Sequence, residues 1–156
     1  MRYSTIYKND TAAGKGVNVS IYLQGCPHRC PGCFNPETWD FNEGNLFTQD
    51  TMREILEAIK ANGIKRNLSI LGGEPLAPQN LGLTNYILTT VKMHYPHIHT
   101  YLWTGYTYEE MTSEQRYCLL MVDTLIDGPF VKELKDISLD MRGSSNQRII
   151  ELWRHR

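Results

Sequence analysis

The chain has no apolar run approaching the ~18 residues of a membrane span, and Met1-Arg2-Tyr3-Ser4 opens no apolar leader segment. It has no excess charge of either sign: 16 Lys and Arg against 17 Asp and Glu leave a net charge of −1. That balance supplies no field for duplex nucleic acid or an anionic membrane, so neither is expected as a partner. No internal repeat, low-complexity tract or Pro/Ser-rich linker divides the chain, so residues 1–156 are expected to form one domain. A domain of this length buries ~70% of the surface its unfolded chain exposes, and needs neither disulfide nor metal to fold. Cysteine is scarce as well. There are four, Cys26, Cys30, Cys33 and Cys118, the first three inside eight residues. A disulfide scaffold would spread an even set along a short secreted chain. The expectation is a reducing, cytoplasmic setting in which the clustered thiols bind something.

What is present is a repeating order of strand, loop and helix. Val17 to Gln24 alternates at period two and predicts a strand ending at Gly25, where the cysteine loop begins. Met52, Ile55, Leu56 and Ile59 mark an amphipathic helix, with Thr51 and Glu54 as its capping pair and Asn62-Gly63 as its stop. Leu68 to Leu71 predicts a strand running into Gly72-Gly73-Glu74-Pro75, and Leu83, Ile87, Val91 and Tyr95 a helical stripe closed by Pro96. Thr100 to Trp103 reads as a strand leading to Thr104-Gly105-Tyr106 and a helix through Glu109, Glu110 and Gln115. Val122 to Ile126 reads as a fourth strand ending at Asp127-Gly128-Pro129-Phe130, and Ile149 to Leu152 as a last apolar segment. Such alternation predicts an α/β fold with a parallel sheet and right-handed crossovers, open or closed only into a partial barrel. Loops that follow parallel strands emerge on one edge, so four Gly-rich loops should converge on one rim, the expected site.

Three thiolates on a loop broken by Gly25, Pro27, Pro31 and Gly32 can wrap three corners of an iron–sulfur cubane or three positions of a tetrahedral ion. A zinc site wants a fourth ligand, for which His28 or Cys118 would have to serve. A [4Fe–4S] cluster on three cysteines would leave one iron open to a substrate or cofactor. Cys118, in Tyr117-Cys118-Leu119-Leu120, is expected in the core, and His28 beside the site rather than as a ligand. Gly72 and Gly73 let backbone approach a ligand closely, and Glu74 can neutralise an ammonium group. Ala13-Gly14-Lys15-Gly16 resembles part of a P-loop but lacks its leading glycine and its Ser or Thr, and is read as a turn.

Cys26-x3-Cys30-x2-Cys33 together with Gly72-Gly73-Glu74-Pro75 resembles the radical S-adenosylmethionine (SAM) superfamily. Further segments are similar to the family of activating proteins of anaerobic ribonucleoside-triphosphate reductase. They are Gln24-Gly25-Cys26, Cys33 to Trp39, Thr104-Gly105-Tyr106-Thr107, Asp127 to Phe130 and Arg142 to Gln147. The resemblance implies a single radical SAM domain with one [4Fe–4S] cluster on Cys26, Cys30 and Cys33. It implies SAM held by Gly72, Gly73 and Glu74 at its amino group, with Gly32, Cys33 and Phe34 near its adenine. Many superfamily members carry an aromatic just before the third cysteine; here Gly32 has that place and Phe34 follows. The implied activity is reductive cleavage of SAM to a 5′-deoxyadenosyl radical that takes hydrogen from a glycine of the reductase large subunit. An electron donor protein is implied too, and assembly as a homodimer or a heterotetramer with the reductase. The short chain leaves little room for a separate small-substrate domain, so the rim, with Trp103 to Tyr106, Phe130 and Arg142 to Gln147, is expected to dock the protein substrate. Two readings stand beside this one: an activase of another glycyl-radical enzyme or a radical SAM enzyme acting on a metabolite, and a zinc-binding interaction module.

Overall fold

Seven strands form one sheet, which the computed structural model describes together with its helices over residues 1–155, leaving Arg156 of the expected domain outside the described residues. The first, β1 (Arg2–Asp10), was not anticipated: it lies antiparallel to β2 (Asn18–Leu23). The two-residue β3 (Asn45–Leu46) pairs with β1 on the outer edge. The centre is the parallel set expected: β2, β4 (Asn67–Gly72), β5 (Thr100–Trp103) and β6 (Thr124–Asp127), each hydrogen-bonded to the next. The segment expected only as apolar is β7 (Arg148–Glu151), antiparallel to β6.

The expectation of a parallel sheet therefore needs correcting: the sheet is open and mixed, in the order β3-β1-β2-β4-β5-β6-β7. The length of one connection and the missing helix of the other explain the difference. A parallel neighbour needs a crossover of a dozen or more residues, usually helical. β1 and β2 are joined by a short turn, and the segment between β6 and β7 contains only one 3₁₀ turn, Lys132–Leu134. Both outer pairs return antiparallel.

Helices α1 (Gln49–Lys60), α2 (Leu81–His94) and α3 (Ser113–Cys118) supply one layer. Val19, Ile21, Leu23, Leu68, Ile70, Leu102 and Leu125 point from the strands into a single core with Met52, Ile55, Leu83, Ile87, Val91 and Cys118 of these helices. Alternation then turns Ser20, Tyr22, Ser69, Leu71, Tyr101 and Trp103 to the other face. The turn after β1 folds over part of that face: Ser69 Oγ donates to the Ala13 carbonyl at 2.6 Å, and Lys15 N–H to Tyr101 Oη at 3.3 Å. The P-loop-like segment is thus a turn, as read. What remains open of the face is the cavity described below.

Two helix starts differ from the expected ones. The cap of α1 is Thr48, whose hydroxyl accepts from Thr51 N–H at 3.3 Å while Thr51 Oγ1 accepts from Thr48 N–H at 3.0 Å. Thr51 is thus the third residue of the first turn, and Glu54 instead faces Lys8 at 3.5 Å. The helix expected through Glu109, Glu110 and Gln115 breaks in two. A 3₁₀ turn, Tyr108–Glu110, ends at extended Met111, and Thr112 caps α3 afresh by accepting from Gln115 N–H at 3.2 Å. Consecutive Thr-x-x-Glu and Thr-x-x-Gln boxes specify two starts, not one helix.

Candidate functional site

The loops after β2, β4, β5 and β6 wall one cavity of about 470 Å³ at the carboxyl end of the parallel strands. Cys26, Cys30, Cys33 and Phe34 come from the first, Gly72, Gly73 and Glu74 from the second, Thr104 and Gly105 from the third, Gly128 and Phe130 from the fourth. Trp103, Arg142, Gly143 and Gln147 also reach it, so most of the expected docking rim is cavity wall. Gly32 lies beside the wall rather than on it, next to Lys132 and Phe130. Tyr106 stands behind the wall, edge-on to His28. The sequence reading missed Tyr22, Leu71, Trp39 and Met141 as lining residues. For Tyr22 and Leu71 the signal was present: they alternate with core positions along β2 and β4, so they had to face away from the helices.

The three cysteines are free and half-buried. Burial, with the nearby Glu74 charge, pushes the Cys26 thiol up to about 11, against the lowering influence of the His28 and Arg29 backbone. Burial raises Cys30 as well, with the Cys33 and Glu74 charges adding. Asn35 N–H lies 3.4 Å from Cys33 Sγ. Cys118 is in the core as expected, and burial pushes it up to about 12.

Gly72 and Gly73 are required by packing of backbone on backbone. Gly72 has φ of 108°, and a Cβ there would lie 2.7 Å from Leu23 N. A Cβ at Gly73 would overlap the Gly25 carbonyl. Gly73 N–H donates to Leu23 O at 2.9 Å and Glu74 N–H to Gly25 O at 2.8 Å, which stitches this loop to the start of the cysteine loop. Both glycines thus bring the exit of β4 against the exit of β2.

Glu74 is wholly buried and its carboxylate is fully engaged. Oε1 accepts from Gly105 N–H at 2.7 Å and lies 2.7 Å from His28 Nε2. Oε2 accepts from Leu76 N–H and from Thr104 Oγ1, each at 2.8 Å. The expected ammonium partner is therefore first a junction of three loops. The side chain so supplied with donors lines the cavity together with Gly72 and Gly73.

On the far wall Phe34, 54% exposed, packs on Phe130 with ring centroids 5.0 Å apart, and Lys135 Nζ stands 5.2 Å from the Phe34 ring. Trp103 Nε1 donates to Met141 O at 2.7 Å and holds the segment after β6 over the sheet. The donor set argues against a closed zinc site: His28 Nε2 is engaged by Glu74 and Cys118 is in the core. Among the described residues no three His, Cys, Asp or Glu side chains converge as ligands of a single metal ion.

Three soft thiols on one loop at the mouth of a ligand-sized cavity suit an iron–sulfur centre. A family model described as a 4Fe-4S single cluster domain matches residues 12–150, which span every lining segment named above. Relatives with the same printed name occur in Vibrio cholerae serotype O1 (38% identity over 150 residues, 96% of this chain and 97% of the relative) and Escherichia coli K12 (37% over 153 residues, 97% and 99%). A third is from Enterobacteria phage T4 (37% over 159 residues, 99% of each). The chain belongs to the family of anaerobic ribonucleoside-triphosphate reductase-activating proteins.

Proposed function

We propose that this protein activates an anaerobic ribonucleoside-triphosphate reductase, working as one radical SAM domain over residues 1–156, with a [4Fe–4S] cluster on Cys26, Cys30 and Cys33 and SAM beside it. The observation that carries this is the shared cavity: the three cysteines, the Gly72-Gly73-Glu74 loop and the loops after β5 and β6 wall one space of about 470 Å³. That volume lies in the range, roughly 300–1,000 Å³, of sites that enclose a small organic ligand.

The residues suit both groups. Three thiols with no fourth ligand at hand among the described residues match a cluster that keeps one iron for an outside ligand. Glu74 beside Gly72 and Gly73 suits the ammonium end of SAM, and Phe34 with the backbone of Gly32 and Cys33 offers a face for its adenine. Bound, the cluster would supply one electron to SAM, and SAM the carbon-centred radical that takes a hydrogen atom from the glycine of the partner. The chain's own work is holding and shielding. Cys26, Cys30 and Cys33 fix the electron source at one wall, and Trp103, Phe130 and Met141 keep water from the other. The mouth stays open for a glycine-bearing segment of the reductase, whose docking on Phe130 and Arg142 to Gln147 completes the enclosure. A reducing, cytoplasmic compartment keeps the thiols available, and the electron comes from a separate donor protein.

The test is to reconstitute the protein with iron and sulfide without oxygen, then add SAM, a chemical reductant and the reductase. A glycyl radical on the reductase, seen by electron paramagnetic resonance with one 5′-deoxyadenosine formed per radical, is expected. Formation of 5′-deoxyadenosine without the radical would transfer the activity to another glycyl-radical enzyme. A colourless protein holding one zinc would overturn the proposal.

A further inference from the structure

One side chain of the cysteine loop reaches into the loop after β4. His28 stands between Cys26 and Cys30 in the chain, and its Nε2 lies 2.7 Å from Glu74 Oε1. A residue flanked in the chain by two of the cysteines therefore touches the buried carboxylate. The imidazole is held on two further sides. Tyr106 meets it edge-on with ring centroids 4.7 Å apart and planes at 70°. A Cβ at Gly105 would fall 2.7 Å from the ring, so this neighbour must be glycine. Glu74 cannot follow a moving partner, because Leu76, Thr104 and Gly105 hold it from the other directions.

The loop needs such a hold. Arg29, next in the chain, has φ of 49°, a backbone state that a non-glycine residue keeps only where its surroundings impose it. Within the loop itself Cys33 N–H donates to Cys30 O, which closes a turn but ties nothing to the sheet. The bond from His28 to Glu74 is the side-chain link between the strained turn and the rigid end of β4.

We propose that His28 is a positioning residue, which through Nε2–H on Glu74 fixes the cysteine loop in the pose that presents its sulfurs to the cavity. The inference rests on the reading of Cys26, Cys30 and Cys33 as cluster ligands. It gives His28 no contact with SAM and no place among the ligands.

The test compares the full chain with His28→Ala and His28→Gln, each reconstituted with iron and sulfide without oxygen. Glutamine can place an N–H donor close to where Nε2–H stands. Iron loss to a ferrous chelator and the change SAM makes in the resonance spectrum of the reduced cluster are followed, with thermal unfolding of the iron-free chains. Removal of a group that orients a metal ligand costs about tenfold or more in metal retention, so His28→Ala should lose iron about tenfold faster and show a weakened response to SAM. His28→Gln should recover most of both, while the three iron-free chains unfold at similar temperatures. Iron loss from His28→Ala at the unaltered rate, or a glutamine variant as impaired as alanine, would overturn the assignment. Tighter SAM binding by His28→Ala would overturn it too, because His28 would then be a competitor for Glu74. Failure of the unaltered chain to take up iron would instead overturn the cluster reading on which the inference stands.

Discussion

Two carboxylates lie at opposite ends of the parallel strands, and they are held in different ways. Asp123, just before β6, takes Lys92 Nζ of α2 at 2.8 Å and Thr100 N–H at 2.9 Å. Glu74, just after β4, takes two N–H groups, a hydroxyl and an imidazole, from its own loop and two others. The amino end balances its acid with a lysine and so ties a helix to two strands. The carboxyl end leaves its acid among dipoles, where the charge is felt by Cys26 and Cys30. One end is a brace, and the other is a wall that keeps a field for something yet to bind.

The comparison breaks most completely at the cysteines. Cys26→Ala, Cys30→Ala or Cys33→Ala should each abolish iron retention after anaerobic reconstitution, read as iron per chain, with little change in the unfolding of the iron-free protein. Cys118→Ala should keep the iron and cost about 1 kcal/mol in a urea melt, as loss of a small core group does. Next in size is Glu74→Gln. Its amide N–H₂ must face either Leu76 N–H or Gly105 N–H, a donor against a donor in a buried site. Urea unfolding should show a loss of about 3 kcal/mol.

Asp123→Asn should cost less, about 2 kcal/mol at pH 7, because Thr100 N–H keeps an acceptor and only the pairing with Lys92 is lost. Burial alone would raise the Asp123 carboxyl, but the Lys92 and Thr100 hydrogen bonds outweigh it and hold it below its ordinary 3.8. A carboxyl depressed in the fold stabilises above its unfolded value and loses that contribution as pH falls through the folded one. The gap between wild type and Asp123→Asn should therefore close as urea melts are taken below pH 3.8. The smallest effect belongs to His99, which burial, partly offset by Asp123 and Glu151, lowers from 6.5. The unfolded chain then takes up this proton first, so stability declines as pH drops from 6.5 toward the lowered value. His99→Asn should flatten that decline slightly between pH 7 and 5, in melts followed by circular dichroism.

Much of this was legible in the residues. A period-two segment marked β2, short segments running into Gly-containing loops marked β4, β5 and β6, and the rule that loops follow parallel strands on one edge brought the cysteines, Gly72 to Glu74 and Gly128 to one rim. β1, β3 and β7 were not legible as strands: Arg2 to Asp10 mixes polar and aromatic residues without a clean period, and β3 has two residues. Edge strands bury too little for periodicity to report them. His28 and Glu74 could each be singled out, but not their bond, because 46 residues separate them.

The sequence by itself determined the cysteine spacing, the helical stripes and the glycines at the strand ends, because each depends on residues near one another in the chain. The tertiary structure decided how the sheet closes on its edges, which side chains share the cavity, and that Glu74 serves first as a junction. Those follow from long-range packing, in which donors from three loops must find one buried carboxylate, and no local pattern records that meeting.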